Sequence, residues 1–225
     1  MNTILGPVEQ DFIRRDDTDE EAIARFERVV LAQPQTPVPW HPVTDYSEEA
    51  RYAIERPHAQ RILDTFHPRH VLDYGAGHGW LTLCLREADP ILNVFAYDIE
   101  PKGAVVRVDA WLPPWQEPLF DLVICREVLE HLPVRMIART IHDLCRRSTR
   151  YVYATTRLAK AGSHLLDITE SDDLDPTHIS LMHPIWLRMM FVLQGFHRRA
   201  DLEAQVDWQH KGRCFVYERH PVRDQ

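Results

Sequence analysis

From residue 70 onward, short apolar runs alternate with amphipathic segments, and this pattern predicts strands that alternate with helices. The predicted strands cover residues 71–74, 93–99, 105–110, 119–125 and 151–155. The run 119–125 is apolar apart from Asp121, which is typical of a strand covered on both faces. This alternation favours an α/β fold with a doubly wound, mostly parallel sheet.

The last part of the chain predicts a helix over 184–193 that stops before Gly195, a C-cap glycine. Two further strands are predicted near 200–208 and 214–217, the last of them antiparallel to the rest. We therefore expect a seven-stranded sheet. The polar stretch 157–183 is long for a connection in a compact domain, and such loops are usually functional.

The N-terminal part differs from this pattern. Thr18 and Glu21 have capping-box spacing, and apolar residues at helical period follow them. Prolines crowd the segment 33–44 around Trp40, and they predict an extended strap or a lid over a site. Two short helical pieces separated by Pro57 should come next. We expect residues 1–57 to form a helix with a proline-rich strap or lid, and residues 58–225 to form the core.

Composition narrows the function classes. The 225 residues carry 26 Lys and Arg against 34 Asp and Glu, a net charge of −8, which argues against broad binding to nucleic acid. A local patch of Arg146, Arg147, Arg150 and Arg157 is the exception. No apolar run approaches the roughly 20 residues of a membrane helix. With no leader pattern in residues 1–10 and four cysteines outside any CxxC pair, we expect a cytoplasmic protein with reduced thiols.

The turn Gly75-Ala76-Gly77-His78-Gly79 carries the clearest chemistry. Its glycines let the backbone approach a ligand at the start of a helix, where N–H groups are available. Asp98 ends the second predicted strand, where a carboxylate can hold both ribose hydroxyls of an adenosine cofactor. The third glycine comes one residue too early for a dinucleotide turn. Asp73 precedes the turn and would repel a pyrophosphate, but through water it can receive the ammonium group of S-adenosylmethionine (SAM).

Four segments in order resemble the class I SAM-dependent methyltransferases: 71–79, 97–99, 108–110 and 120–133. The run Asp175-Pro176-Thr177-His178, before a helix that ends in Gly195-Phe196, is also similar. The resemblance spans about residues 58–218. It implies a Rossmann-like methyltransferase sheet with an antiparallel last strand, SAM as cofactor and S-adenosylhomocysteine (SAH) as product.

The resemblance also implies the cofactor-binding residues. They are Asp73, Gly75, Ala76, Gly77, Gly79, Asp98, Ile99, Asp109, Ala110 and Arg126. Asp98 would hold the ribose with Ile99 on the adenine, and Asp109 would accept a hydrogen bond from the adenine amino group. Ala110 or Trp111 would stack nearby. The alternative is that the glycines only shape a turn and the acids are surface caps.

Methyl transfer is an in-line displacement, and a base is needed only when the acceptor must lose a proton. Glu127, Glu130 and His131 have helical spacing and share one side, so they are candidates for a base or substrate contact, for a divalent metal site, or for packing. Similar E-x-x-E-H runs in ubiquinone-pathway O-methyltransferases and small-RNA 2′-O-methyltransferases bind divalent metal. His178, in the long loop, completes the catalytic candidates with Glu127 and His131; His183 is a weaker one.

These observations lead us to expect methyl transfer to an O or N atom of a small molecule or glycan. An RNA or protein methyltransferase that uses the arginine patch is the alternative enzyme. A non-catalytic SAM-binding protein is the alternative from another class. Nucleic acid and membrane are not expected partners, and the sequence leaves open the oligomeric state, the acceptor and the metal requirement.

Overall fold

A computed structural model describes residues 19–39, 47–99, 119–160, 163–168, 175–207 and 212–221. The helices of this part are α1 (Asp19–Ala32), α2 (Glu48–Phe66), α3 (Trp80–Ala88), α4 (Val134–Arg147), α5 (Pro184–Leu193) and α6 (Ala200–Val206). The strands are β1 (His70–Tyr74), β2 (Asn93–Tyr97), β3 (Phe120–Arg126), β4 (Ser148–Thr155), β5 (Phe196–Arg198) and β6 (Cys214–Arg219). A 3-10 turn at Leu129–His131 precedes α4. None of the helices in these ranges is long and apolar enough to cross a membrane.

The strands form one sheet in the order β2-β1-β3-β4-β6-β5. The pairs β1–β2, β1–β3 and β3–β4 are parallel, whereas β6 runs antiparallel to both of its neighbours. The predicted α/β class, with a mostly parallel sheet and an antiparallel last strand, is confirmed. The described residues contribute six strands, and the predicted strand at 105–110 lies outside them.

Helices cover both faces of the sheet, as the apolar strand pattern requires. Successive residues of β3 point to opposite faces: Val123 and Cys125 pack with α4 and α5, and Leu122 and Ile124 pack with α2, α3 and α6. All four cysteines of the chain are buried. The carboxyl ends of the parallel strands lie along a single edge of the sheet.

One predicted strand is wrong. Leu202, Ala204 and Val206 alternate with polar residues, and this period-2 pattern predicted a strand near 200–208. The chain instead forms β5 earlier and then α6, in which Leu202 and Val206 lie one turn apart and are buried while Ala204 is exposed. Both periods fit so short a segment, and packing against the sheet selects the helix.

The two helical pieces predicted around Pro57 are also wrong, because α2 runs through that residue. Pro57 removes one N–H from the helix, but Glu55 and His58 beside it are buried, and Ile62 anchors the next turn. Tertiary packing therefore holds the helix on both sides of the proline. The division of the chain at residues 57 and 58 stays a prediction, with its boundary inside α2.

Helices α1 and α4 begin close to the residues predicted for them. The predicted cap residue of α1, Thr18, lies outside the described residues, although α1 begins at the next residue. Pro133 was predicted as the first residue of α4 and is instead its N-cap. At the end of α5, Gly195 has a φ of 78°, the left-handed conformation expected of a terminating glycine.

The described part of the strap is bound to the carboxyl edge of the sheet. Gln33 donates to the carbonyl of Ile179 (2.7 Å), and its amide oxygen accepts from the N–H of Val134 (2.8 Å). The N–H of Val38 donates to the carbonyl of His131 (3.0 Å). The strap thus packs on the 3-10 turn and on the loop before α5, while Trp40 and the following residues to 46 lie outside the described ranges.

The turn between β1 and α3 depends on glycine at two positions for different reasons. Gly75 has a φ of 78°, and a Cβ there would lie 2.3 Å from Cγ2 of Val128. Gly77 has a φ of 55°, but a Cβ there would meet nothing within 4 Å. Gly75 is therefore required both by backbone conformation and by close packing, and Gly77 by conformation alone.

This difference predicts unequal costs of substitution. We expect Gly75→Ala to lower the free energy of unfolding by about 3 kcal/mol, since it adds overpacking to left-handed strain. Gly77→Ala should lower it by only about 1 kcal/mol. Urea unfolding of both variants tests this, with Gly75→Ala/Val128→Ala as the control that should recover part of the larger loss. Equal losses for the two single variants would contradict the packing argument.

Candidate functional site

The predicted site residues gather at the carboxyl edge of the sheet. Parallel strands end at the same edge, so the residues that close β1, β2 and β3 become neighbours although they are distant in sequence. Asp73 lies in β1, Asp98 follows β2, and Arg126 ends β3. Asp109 and Ala110, together with Trp111, lie outside the described residues.

Asp98 is bound directly to the glycine turn. The N–H of Gly77 donates to Oδ2 of Asp98 (2.7 Å), and the N–H groups of Gly75 and Ala76 both donate to the carbonyl of Tyr97 (2.7 and 2.9 Å). The structure therefore brings the predicted ribose carboxylate and the turn together. The half-exposed side chain of Ile99 follows directly in the chain.

Asp73 is buried below the turn. Its Oδ2 accepts a hydrogen bond from the hydroxyl of Thr82 in α3 (2.7 Å). Burial raises the pKa of Asp73 to about 6, although Thr82 and the guanidinium of Arg126 both favour the ionised form. This carboxyl group is ionised at neutral pH and close enough to titration to respond to mild acid.

Arg126 is paired with a carboxylate that the sequence analysis did not identify. Its Nη1 donates to Oε2 of Glu55 (2.7 Å) and its Nη2 to Oε1 (3.4 Å). His58 stands beside the pair, with Nδ1 3.9 Å from Oε2 of Glu55 and Nε2 2.8 Å from the hydroxyl of Tyr153. The buried Nε of Arg126 has no hydrogen-bond acceptor within the described ranges. Glu55 lies 71 residues before Arg126, and no local pattern marks it.

Glu127 has a backbone conformation that is rare for a residue with a side chain, with a φ of 50°. Its N–H donates to the carbonyl of Thr155 (2.8 Å). Its Oε2 lies 3.6 Å from Nε of Arg157 and 3.6 Å from Nη1 of Arg213. Strain of this kind often occurs at functional sites. The side chain lies near these two arginines and also interacts with the carboxyl group of Glu130.

Glu130 is fully buried, and both its side chain and its backbone carbonyl accept hydrogen bonds. Its carboxylate accepts from the hydroxyl of Thr156 (2.9 Å) and the N–H of Arg157 (3.3 Å). Its carbonyl accepts from the N–H groups of Ile179 (2.8 Å) and Ser180 (3.1 Å). Burial and the nearby carboxylate of Glu127 raise the pKa of Glu130 well above its ordinary value.

His131 and His178, which were predicted separately as catalytic candidates, are in contact. Their ring centroids lie 4.9 Å apart at an angle of 63°. Nδ1 of His131 lies 3.1 Å from the carbonyl of Thr177, and Nε2 of His178 lies 3.6 Å from Oδ2 of Asp175. Burial, followed by the charge of His178, lowers the pKa of His131, so its imidazole is neutral at neutral pH.

The same cluster has the donor set of a metal site. Glu130, His131 and His178 each offer a ligand atom, and these atoms lie within 4.8 Å of one another. The set predicted from sequence had Glu127 in place of His178. Two imidazoles and one carboxylate suit Zn²⁺ or Mn²⁺ better than Mg²⁺ or Ca²⁺. The neutral imidazole of His131 fits this role, and a bound cation would offset the burial of Glu130.

His183, the weaker histidine candidate, caps a helix. Its Nδ1 accepts from the N–H of Ile185 at the start of α5 (3.2 Å). Burial lowers the pKa of His183 to about 4, which keeps the ring neutral. This capping hydrogen bond gives His183 a structural role at the start of α5.

Neighbouring carboxylates pair with arginines of the patch. Arg146 and Arg147 pair with Asp143 of α4 (3.9 and 2.9 Å), and Arg150 pairs with Glu218 (3.2 Å). Phosphate binding needs cations whose charge is not already balanced. These ion pairs lower the net positive charge that the described part of the patch offers to phosphate.

Two surface depressions lie at the opposite edge of the sheet. One, of about 720 Å³, is lined by residues such as His67 and Asp89, and the other, of about 560 Å³, by residues such as His142 and Arg219. Neither contains a predicted site residue. The chemistry at the carboxyl edge, and not concavity, therefore identifies the candidate site.

Comparisons with known proteins identify the family of this domain. A model of the methyltransferase domain matches residues 46–198. A comparison with curated proteins finds no match. Among solved structures, the fold resembles a SAM-dependent methyltransferase from Archaeoglobus fulgidus, with 18% identity, a TM-score of 0.51, and coverage of 75% of this chain and 94% of that one.

Two further structures cover more of the chain. The N-terminal domain of EvdMO1, crystallised in the presence of SAH and D-fucose, is 15% identical with a TM-score of 0.51, over 91% of this chain and 98% of that one. Magnesium protoporphyrin IX methyltransferase from Synechocystis PCC 6803, with bound SAH, is 16% identical with a TM-score of 0.50, over 90% and 96%. At these identities the likeness shows the fold alone. The domain match covers more than half of the chain, and with it the chain belongs to the class I SAM-dependent methyltransferases.

Proposed function

We propose that this enzyme transfers the methyl group of SAM to an oxygen or nitrogen atom of a small molecule or glycan, at the carboxyl edge of its sheet. The observation that carries the proposal is that two groups lie at that same edge of the sheet. One is the glycine turn bound to Asp98, and the other is the contact of His131 with His178. The first suits a nucleoside cofactor, and the second suits an acceptor that must lose a proton.

On the cofactor side, Asp98 holds the ribose hydroxyls and Ile99 packs on the adenine. The carboxylate of Asp73 receives the ammonium group through water, since its side chain is buried below the turn. The Nε–H of Arg126, buried and lacking an acceptor within the described ranges, donates to the methionine carboxylate of the cofactor. Asp109 and Ala110 remain predicted contacts of the adenine.

On the acceptor side, His131 acts as the general base. A carbonyl can only accept, so the contact with Thr177 requires the proton of His131 on Nδ1 and leaves the lone pair of Nε2 available. His178, held beside Asp175, orients the acceptor or the ring of His131. Glu127 binds the arginines that border the site and takes no proton in this scheme.

The negative net charge of the chain and the small molecules named with two similar structures both support a small methyl acceptor. The net charge is −8, and the described arginines of the patch are paired with carboxylates. EvdMO1 was crystallised with SAH and D-fucose, and the enzyme from Synechocystis is named for a porphyrin. These are small molecules, one of them a sugar. They support the substrate class without identifying the substrate.

A divalent cation at Glu130, His131 and His178 is the second candidate for the acceptor side. The observation in its favour is the 4.8 Å limit within which the three ligand atoms lie. Such a cation would act as a Lewis acid toward the acceptor oxygen and lower its pKa. In that case, His131 would serve as a ligand and not as the base.

The cofactor placement predicts the effect of one substitution. Asp98→Ala should weaken SAH binding at least 100-fold, because it removes the ribose contact and the acceptor for the N–H of Gly77. Calorimetric titration measures this, with circular dichroism to confirm the fold. Asp64→Ala, on the exposed side of α2, is the matched control and should bind as the wild type does. Wild-type affinity in Asp98→Ala would contradict the placement.

The burial of Asp73 predicts a pH dependence of cofactor binding. Because its pKa is raised to about 6, the group must release a proton below that pH before it can receive the ammonium. We expect SAH affinity to be constant between pH 7 and 8 and to fall by up to about tenfold per unit below pH 6. Asp73→Asn should bind weakly and lose this dependence. An unchanged affinity at pH 5 in the wild type would argue against the contact.

The histidine pair predicts a separation of binding from turnover. His131→Ala and His178→Ala should keep SAH affinity within a few-fold but lower transfer of labelled methyl from SAM to a pool of small acceptors by about 100-fold. His142→Ala, an exposed histidine of α4, is the control. Chelation with EDTA separates base from metal: activity that survives supports the base. Activity that is lost and returns with Zn²⁺ or Mn²⁺ supports the cation, and a pair of variants with full turnover would contradict both.

A further inference from the structure

The ion pair between Glu55 and Arg126 is buried, which is unusual enough to require an explanation. The two side chains are only 11% and 15% exposed, and the guanidinium donates to both carboxylate oxygens. A buried ion pair contributes little net stability, because removing both charges from water costs about as much as their attraction returns. A role other than stability is therefore worth seeking.

The pair lies below the place proposed for the methionine end of the cofactor. Arg126 and Glu55 both act on the carboxyl group of Asp73: the guanidinium lowers its pKa, and the carboxylate raises it. Val128, two residues after Arg126, lies against Gly75 in the turn. The guanidinium thus acts on the acid proposed to border the cofactor's amino-acid tail, and the segment that follows it packs against the glycine turn.

SAM and SAH differ in one charge, and that difference falls at this position. SAM carries a sulfonium, an ammonium and a carboxylate, whereas the sulfur of SAH is neutral. An arginine guanidinium is always ionised in proteins. Without a counter-ion, Arg126 would attract the cofactor's carboxylate but repel its sulfonium, and the repulsion would act on SAM alone.

We propose that Glu55 is the counter-ion that allows a sulfonium to bind beside Arg126, so that this carboxylate sets the preference of the enzyme for SAM over SAH. The proposal rests on the proposed cofactor placement. In this view Glu55 is a positioning residue that acts through Arg126. Product release then also depends on the pair, since the positive charge of the sulfonium disappears when the methyl group leaves.

The surroundings keep Glu55 in place for this role. His58 follows Glu55 by three residues on α2, with its Nδ1 3.9 Å from the carboxylate, and its Nε2 contacts the hydroxyl of Tyr153 in β4 (2.8 Å). Tyr153 and His58 are both fully buried. The carboxylate is therefore bound to β3 through Arg126, and it lies beside an imidazole that contacts β4.

The test compares the affinities of SAM and SAH in four proteins by calorimetry: wild type, Glu55→Gln, Arg126→Gln and the double variant. Glu55→Gln should lower the preference for SAM over SAH about tenfold. Arg126→Gln should raise it, because a carboxylate is then left alone near the sulfonium. The double variant should return it to the wild-type value. Glu87→Gln removes the carboxylate of an exposed ion pair with Arg56 (3.5 Å) and is the matched control, with no change expected.

The outcomes separate this proposal from the cofactor placement. Equal loss of SAM and SAH affinity in Glu55→Gln, with a preference that does not change in any variant, would overturn the counter-ion role and leave the placement standing. A wild type that binds neither ligand would overturn the placement itself. If Glu55→Gln fails to fold, Arg126→Gln and the double variant decide the matter, because their predicted preferences differ.

Discussion

Glu130 connects the segments on which the acceptor side of this site depends. Its carboxylate holds the chain after β4 through the hydroxyl of Thr156, and its carbonyl holds the loop before α5 through the N–H groups of Ile179 and Ser180. That loop carries His178, and the 3-10 turn that contains Glu130 carries His131. The contact between the two histidines is a consequence of these bonds. A buried polar group with so many partners is costly to lose, which favours one arrangement of the three segments.

Carboxylates pair with arginines on both the cofactor side and the acceptor side of the carboxyl edge. SAM brings a net positive charge to a site that already contains arginine side chains. In the described part, Arg126 is paired with Glu55, and both Arg157 and Arg213 face Glu127. Each carboxylate reduces the repulsion that a sulfonium would meet. The strained backbone of Glu127 belongs to the same arrangement, because that conformation turns the side chain toward the two arginines.

Much of the fold could be predicted, because apolar runs mark buried strands and the glycine spacing marks the turn after β1. The site residues gather at one edge because parallel strands such as β1 and β3 end together in the structure. The predictions that failed concern segments whose structure is decided by packing. The sequence of α6 fits both the strand period and the helix period, and α2 continues through Pro57 because buried neighbouring residues hold it. The pairs Glu55–Arg126 and Glu127–Arg213 join residues far apart along the chain. No local sequence pattern indicates which residues form these long-range ion pairs. His131 and His178 were each predicted as site residues, but their contact was not predicted.

The central claim is that the glycine turn with Asp98 binds the adenosyl cofactor of a methyltransferase. Calorimetric titration of the wild-type protein with SAH, and in parallel with NAD, tests it most directly. The account predicts saturable one-to-one binding of SAH and no heat of binding from NAD, because the turn is one residue too short for a pyrophosphate and Asp73 repels it. Binding of NAD in place of SAH, or of neither, would contradict the account.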